Sequence, residues 1–340
     1  MDENADVLFI LRKNGSENTA VLQRNFNAVE IESKGLNRTR LELIKTFGIT
    51  IKSILESYKI IKNYKPDIML GTGGYVSFSP LIVSLILKIP TFVHESNITP
   101  GLVTKIIARY GGTVLLNFED SKKQLPNAKK CITVGNPLLS DFSKITKKQA
   151  RAKLKLSDND RLIISFGGSG GSKKLNDVII DVMEKYIKNQ SNIRHIHATG
   201  EKYYRGIAEK YCHLTRDYGK IKIVPKIDDM ALHMAAADIV ICRCGATTLS
   251  ELSATGKAAI LIPSPNVTDN HQYKNGKFLS DNHAAVLIEE SQLNQELLIE
   301  KINLIINSKI IKHTLETNIK KTKKQDAAKI ISEIIMNCAK

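Results

Sequence analysis

The sequence predicts an α/β protein of two doubly wound domains, each a parallel sheet covered by helices. Three observations predict it. The chain has 340 residues, more than one core usually holds, since domains favour about 100 to 200. Short β-branched runs alternate with longer amphipathic stretches throughout, the pattern of parallel strands joined by crossover helices. Strand-like runs also end in glycines that open straight into a helix signal, in "GTGGYVSFSP" (71–80), "SFGGSGGSKKLND" (165–177) and "ICRCGATTLSEL" (241–252).

In the first half, strands are expected at 7–11, 67–70, 91–93, 113–117 and 131–134. The second half carries six, at 161–166, 193–197, 221–224, 238–242, 258–262 and 285–288. Six strands with helices between them make a complete doubly wound domain. Between the halves, 137–160 has few strand formers and many lysines, and Asp158-Asn159-Asp160 signals a turn. The domains are therefore expected at 1–140 and 161–309, with a linker at 141–160. Apolar residues at helical spacing predict a terminal helix within 310–340.

Hydrophobic residues make up 42% of the chain and charged residues 25%, as in an ordinary globular protein. No apolar run approaches the ~18 residues of a membrane span. The segment 1–6 is acidic where a targeting segment would be basic, so the chain is expected in the cytosol. Its five cysteines, an odd and scattered set, read as reduced thiols. Cys242 and Cys244 have no second pair or histidine set to complete a zinc site. The formal charge of +16 favours anionic partners. Aromatics are only 6%, and no helix-turn-helix or zinc-finger pattern occurs, so nucleic acid is not expected. The lysine pairs are short and separate, which leaves solvated faces and an anionic membrane surface as the two readings.

The glycine turns point to an anion. Glycine lets the main chain turn sharply, and amides at the following helix start face a negative charge that the helix dipole also favours. In 165–177 Ser169 adds a hydroxyl, although a third glycine for the dinucleotide fingerprint is missing at Lys173. In 241–252, Thr247, Thr248 and Ser250 offer hydroxyls, and Glu251 stands roughly 9 Å along the helix from Gly245. That is close to the separation of a diphosphate from its ribose, and a carboxylate accepting from both ribose hydroxyls is a known solution in such folds. After the strand at 258–262, "PSPNVTDNHQYKNG" (263–276) supplies Asp269 as a helix cap, with Gln272 and Asn275 one turn apart for sugar hydroxyls. These strand ends together predict a polar crevice at the carboxyl edge of the second sheet.

"GTGGYVS", "HESN" (94–97), "VGNP" (134–137), "GGSGG", "IDDM" (227–230), "CRCGATTLSEL" and "DNHQYKN" (269–275), in this order, resemble the MurG family. Its members move N-acetylglucosamine from UDP-GlcNAc to lipid I, giving lipid II in peptidoglycan synthesis. The likeness runs from Val7 onward. It implies a GT-B fold, two doubly wound Rossmann-like domains facing a cleft, with the donor held by the C-terminal domain and the lipid-linked acceptor by the N-terminal one. Carried over by position, Ser169 meets the diphosphate and Ile227 the uracil through its backbone. Ala246, Thr247, Thr248, Leu249, Ser250 and Glu251 hold phosphate and ribose, Gln272 and Asn275 the sugar, and Asn97 reaches the donor from the other domain. Gly71, Thr72, Gly73, Gly74 and Tyr75, with Ser77 nearby, form the acceptor pyrophosphate loop. The final helix packs back on the first domain.

The chain departs from this pattern twice. Leu139 stands where the family has an arginine that assists the donor. The family's opening strand and glycine loop, which carries the histidine expected as base, has no counterpart, so a β-loop-α unit of ~30 residues is expected upstream of Met1. The expected reaction inverts the anomeric carbon, with helix-start amides in place of a metal for the leaving diphosphate. No Asp-x-Asp motif suggests a divalent ion, and no cofactor is expected. Within this chain Glu95 is a weak candidate base, His94 reads as structural, and His195 and His197 read as packing. Peripheral attachment to the cytoplasmic face of the membrane is expected through 81–87 with Lys88, Lys105 and Arg109, unless 81–87 is core. Two other readings stay open: a UDP-sugar transferase with another lipid acceptor, and a UDP-sugar-binding protein inactive without the N-terminal loop.

Overall fold

A computed structural model describes residues 5–15, 18–35, 40–139, 142, 144–217, 219–323 and 326–339. The chain divides into two compact units, Met1–Asn136 with Gln325–Lys340, and Pro137–Lys324.

In the first unit β1 (Leu8–Arg12), α1 (Asn18–Leu22), β2 (Asn27–Ile31), α2 (Arg40–Tyr64), β3 (Met69–Gly71), α3 (Phe78–Ile86), β4 (Thr91–Glu95), α4 (Leu102–Arg109), β5 (Thr113–Leu116) and β6 (Lys130–Thr133) follow in order. β3, β4, β5 and β6 form one parallel sheet, and β1 and β2 form a separate parallel pair. Among the described residues β1 pairs with β2 alone and β3 with β4 alone. The alternation in the sequence gives no strand at Asn27–Ile31, because Asn27 and Glu30 break the apolar pattern. β2 forms nonetheless, since Ile31 is buried and all five of its residues pair in register with β1.

In the second unit come α5 (Lys147–Lys153), β7 (Arg161–Phe166), α6 (Lys173–Lys185), β8 (Ile193–Ala198), α7 (Glu201–Lys210), α8 (Cys212–Asp217), β9 (Ile221–Val224), α9 (Met230–Ala236), β10 (Ile239–Cys242), α10 (Ala246–Thr255), β11 (Ala259–Leu261), α11 (His271–Asp281), β12 (Val286–Leu287), α12 (Gln295–Asn307) and α13 (Lys309–Lys321). The last helix, α14 (Ala327–Ala339), belongs to the first unit. Its Ile331 is buried with Phe92, Leu115 and Val134, and Ile330, Ile334 and Ile335 pack alongside.

The second sheet is all parallel in the order β9-β8-β7-β10-β11-β12. Alternate residues of one strand enter opposite layers: Ile163, Ile239, Ile241 and Ile260 on one face, Leu162, Ile164, Val240 and Leu261 on the other. Helices cover both faces, which is why these strands read as unbroken apolar runs. The chain winds outward from β7 to β9, then returns to place β10 against the other side of β7. Loops leaving the carboxyl ends of β7 and β10 therefore flank a topological switch point, where ligands of such sheets bind.

Two buried polar clusters fix the sheet. Ser165 Oγ lies 2.8 Å from both His195 Nε2 and His197 Nδ1, and His197 Nε2 lies 3.1 Å from Asn176 Oδ1. Burial lowers both histidines, His197 to about 4, so both are neutral and serve packing. At the opposite end of β10, buried Asp238 accepts from Lys147 (2.7 Å), Lys312 (2.6 Å), Arg151 (3.2 Å) and the Leu162 N–H (3.0 Å). Buried Lys257, beside this group, donates to the carbonyls of Ala235 (2.7 Å) and Ala237 (3.2 Å).

Candidate functional site

The loop after β7 is shaped by glycines, of which Gly167 and Gly171 leave no room for a side chain. Gly168 and Gly171 have φ of +87° and +69°, and a Cβ on Gly171 would stand 2.2 Å from Thr199 O. Gly171 N–H donates to Gly168 O at 3.0 Å, closing a tight turn that leaves Ser169 exposed at its tip. α6 then starts at Ser172, whose hydroxyl accepts from Leu175 N–H. Cys242 of β10 pairs with Phe166 of β7, so the two glycine turns leave the sheet side by side, about 4.8 Å apart.

After β10, Gly245 caps α10 in extended backbone, and an added Cβ there meets nothing within 4 Å. Its free amides face open space at the start of a helix of ten residues. Thr247 is exposed and Thr248 half-buried, while Ser250 Oγ donates back to Ala246 O at 3.0 Å. Leu249 is wholly buried, so only its backbone can serve a ligand. Glu251 accepts no hydrogen bond from a described residue, and burial pushes its carboxyl up to about 7. It stands about one and a half turns from the open helix start at Gly245.

Gln272 lies at the first turn of α11 and its carbonyl accepts from Ser264 N–H at 2.9 Å. Asn275 behaves differently from the expected sugar contact. It is fully buried, and its amide donates to Cys244 O at 3.3 Å, because the face of α11 that carries it packs on the end of β10. Ile227 is half-buried against the core before α9.

Sequence reasoning missed Arg243. It is buried at the end of β10, where one nitrogen donates to Ile262 O and Pro263 O, both at 3.1 Å, and the other to Ser172 Oγ and the Glu290 carboxylate. One guanidinium thus ties the ends of β10, β11 and β12 to the cap of α6. No local signal marks it, since its partners lie 19 to 71 residues away.

In the first unit, loops after β3 and β4 meet. Gly73 has φ +80°, and a Cβ on it would lie 3.0 Å from His94 O. Gly71 has a packing reason, since a Cβ there would stand 2.5 Å from Leu81 Cδ1, whereas Gly74 is open and Thr72 exposed. Ser77 Oγ donates to Gly74 O at 2.6 Å. Glu95 is buried and accepts from Asn97 N–H (3.0 Å), Asn97 Nδ2 (3.2 Å), Gly101 N–H (2.9 Å) and Thr104 Oγ1 (2.7 Å). Four donors on two oxygens make it an organiser of Asn97 and the start of α4. His94 Nε2 donates to Gly135 O at 2.8 Å, and burial keeps its pKa lowered.

Comparison with known proteins fits this arrangement. The glycosyltransferase family 28 C-terminal domain matches residues 162–334, and the family 28 N-terminal domain residues 1–116. A UDP-N-acetylglucosamine--N-acetylmuramyl-(pentapeptide) pyrophosphoryl-undecaprenol N-acetylglucosamine transferase from Thermoanaerobacter sp. (strain X514) is 35% identical over 336 residues, 98% of this chain and 92% of that protein. The protein of the same name from Acetivibrio thermocellus is 35% identical over 340 residues, 100% of this chain and 91% of its own.

The chain belongs to glycosyltransferase family 28, in its MurG branch. Among solved structures, Acinetobacter baumannii MurG shares the fold with a TM-score of 0.79 and 24% identity, over 98% of this chain and 91% of that one. Staphylococcus aureus MnaA, solved with UDP, shares it at a TM-score of 0.64 and 12% identity, over 97% and 96%. The fold class is thus the α/β GT-B class of this family.

Two features stand out against the MurG pattern. Leu139, in the place of the family's arginine, is 93% exposed and supplies no charge. The expected membrane segment is mostly core: Leu81, Val83 and Ser84 are buried, and only Ile86 and Leu87 are exposed. An exposed apolar stripe also lies on α2, where Phe47, Ile51, Leu55 and Tyr58 are exposed at helical spacing beside exposed Lys52, Lys59 and Lys62. Among the described residues no helix is long and apolar enough to cross a membrane.

Proposed function

We propose that this chain transfers N-acetylglucosamine from UDP-GlcNAc to the 4-hydroxyl of the N-acetylmuramyl group of lipid I, giving lipid II for peptidoglycan synthesis. The observation that carries the reading is the pairing of two glycine turns at the switch point of the second sheet with the unpartnered Glu251 beside them. The amides of 168–170 and 245–248 hold the diphosphate, Ser169 and Thr247 add hydroxyls, and Glu251 accepts from the ribose. Ile227 presents backbone to the uracil. Gln272, its carbonyl held by Ser264, turns its remaining N–H groups to the sugar. Asn275 acts at one remove, by bracing Cys244.

In the reaction the bond from the anomeric carbon to the UDP oxygen breaks as the acceptor oxygen attacks from the opposite face. Negative charge then grows on the diphosphate, where preoriented amides stabilise it without reorganisation. We propose no metal in this role, the helix-start amides carrying the charge instead. The acceptor pyrophosphate is read as binding at 71–75. Glu95 serves as a positioning residue for Asn97 rather than as the base, since its lone pairs are occupied. The lipid of the acceptor brings the chain to the cytoplasmic face of the membrane, with the α2 stripe as contact surface.

Release of UDP, followed with lipid I and with diacylglycerol as acceptors, tests the reading. Turnover with lipid I alone is expected. Turnover with diacylglycerol alone supports the other lipid acceptor, and calorimetry that detects no UDP-GlcNAc binding removes the donor site altogether.

A further inference from the structure

Arg12 is the last residue of β1, and its Nη1 donates to the hydroxyl of Tyr75 at 2.9 Å. Tyr75 directly follows Gly74 and is clamped from the same side. Its carbonyl accepts from Ser33 Oγ at 3.4 Å, and a Cβ on Gly35 would touch its ring at 3.5 Å. Residues that follow β1 and β2 therefore hold the loop that follows β3. The contact from Arg12 is chemically unusual. A neutral phenol takes up one of the five guanidinium N–H groups but none of the charge. Among the described residues Arg12 has no carboxylate partner, although it sits in a chain with 34 acidic residues. Lys13, exposed, adds a second positive charge beside it.

We propose that Arg12 is the side-chain half of the acceptor-phosphate subsite: held in place by Tyr75, its free N–H groups grip the pyrophosphate that the open backbone at Gly74 receives. This rests on reading 71–75 as the acceptor loop and adds a residue that the MurG motifs do not include. A planar guanidinium can bind two phosphate oxygens through a rigid fork of parallel N–H groups, a geometry that a lysine lacks. Arg12 is half-buried and Tyr75 exposed, which leaves the pair open to a ligand that arrives from solvent on a lipid. The Tyr75 hydroxyl fixes the plane of the guanidinium, so less freedom is lost on binding.

The test is isothermal titration of the full chain, saturated with UDP to occupy the second unit, with farnesyl pyrophosphate as probe and farnesol as its uncharged control. Arg12→Gln is expected to weaken binding about tenfold or more, the worth of one charge-assisted contact, and to flatten its salt dependence. Arg12→Lys is expected to recover part of the loss, and Tyr75→Phe to cost less than Arg12→Gln. Gly74→Asp, which puts a negative charge into open space without a clash, tests the loop itself. If Gly74→Asp weakens binding and Arg12→Gln does not, the role of Arg12 is refuted and the loop reading stands. If neither variant matters, or farnesol binds as well as its pyrophosphate, the acceptor-loop reading falls and Arg12 falls with it.

Discussion

Gly171 and Gly200 meet backbone to backbone: a Cβ on Gly200 would stand 2.7 Å from both the N and the Cα of Gly171. The turn after β7 is thereby pressed against the end of β8, and its shape is set by contact as well as by its own dihedral angles. Gly171→Ala is expected to cost at least about 3 kcal/mol and to abolish UDP binding, since a clash with Thr199 O adds to left-handed strain. Gly168→Ala, strained but unobstructed, is expected to cost about 1 to 2 kcal/mol. Thermal unfolding and UDP titration of both variants check the pair.

Burial pushes Glu251 up to about 7, and the proposed ribose contact needs its ionised form. UDP affinity is therefore expected to rise as pH climbs through about 7, and Glu251→Gln to remove that dependence along with most of the affinity. The ligand-free protein should show the reverse in stability. The folded pKa is above the ordinary 4.5, so the protonated group favours the fold at low pH, and that benefit is lost as pH rises from about 4.5 to about 7. Calorimetric titration and denaturant unfolding at several pH values separate the two effects.

Asp238 joins α5 and α13 to the foot of the second sheet, and its surrounding cations hold its carboxyl far below the usual range despite burial. Asp238→Asn should cost about 3 to 5 kcal/mol near neutral pH, because Lys147, Arg151 and Lys312 lose their counter-charge. A depressed carboxyl stabilises above its ordinary pKa and loses that contribution in acid. The gap between wild type and variant should accordingly narrow as pH falls below about 4 in urea unfolding.

Lys257 presents the opposite case in the same cluster. Burial and the neighbouring Lys147 lower it to about 7 from an ordinary 10.5. Above about 7 the unfolded chain holds a proton that the folded one has released, so stability should rise with pH toward about 10.5. Lys257→Met is expected to remove that rise, read as the difference between the two proteins in unfolding midpoints at pH steps across the window.

The stripe on α2 makes a prediction about membranes. Phe47→Asp combined with Leu55→Asp should abolish flotation with anionic vesicles, whereas Ile86→Asp should have little effect. Binding by wild type should weaken with salt, since each lysine near an anionic surface contributes about 1 kcal/mol that salt screens. Equal flotation with neutral vesicles would count against the charged part of the surface.

Much of the candidate site's geometry was legible in the chain because its parts are local. Gly167–Gly171 and Gly245–Glu251 are strand-to-helix turns, and the type and spacing of their residues state the anion and the carboxylate directly. The β2 strand, Arg243, Arg12 and the α2 stripe were not legible. The two arginines depend on neighbours distant in sequence: Arg243 and Ser172 are 71 residues apart, and Arg12 and Tyr75 are 63 apart. Asn275 shows the converse, a residue whose spacing suited a ligand but whose helix face turned inward.

By itself the sequence determined the α/β class, the glycine turns and the positions of Glu251 and Ser169, since dihedral freedom and helical period are properties of short segments. Only the tertiary structure decided that the turns after β7 and β10 lie side by side, that Asn275 is buried, and that Arg12 meets Tyr75 with no carboxylate partner among the described residues. Those outcomes follow from strand order, which is set by how whole layers bury their apolar faces and which no short segment encodes.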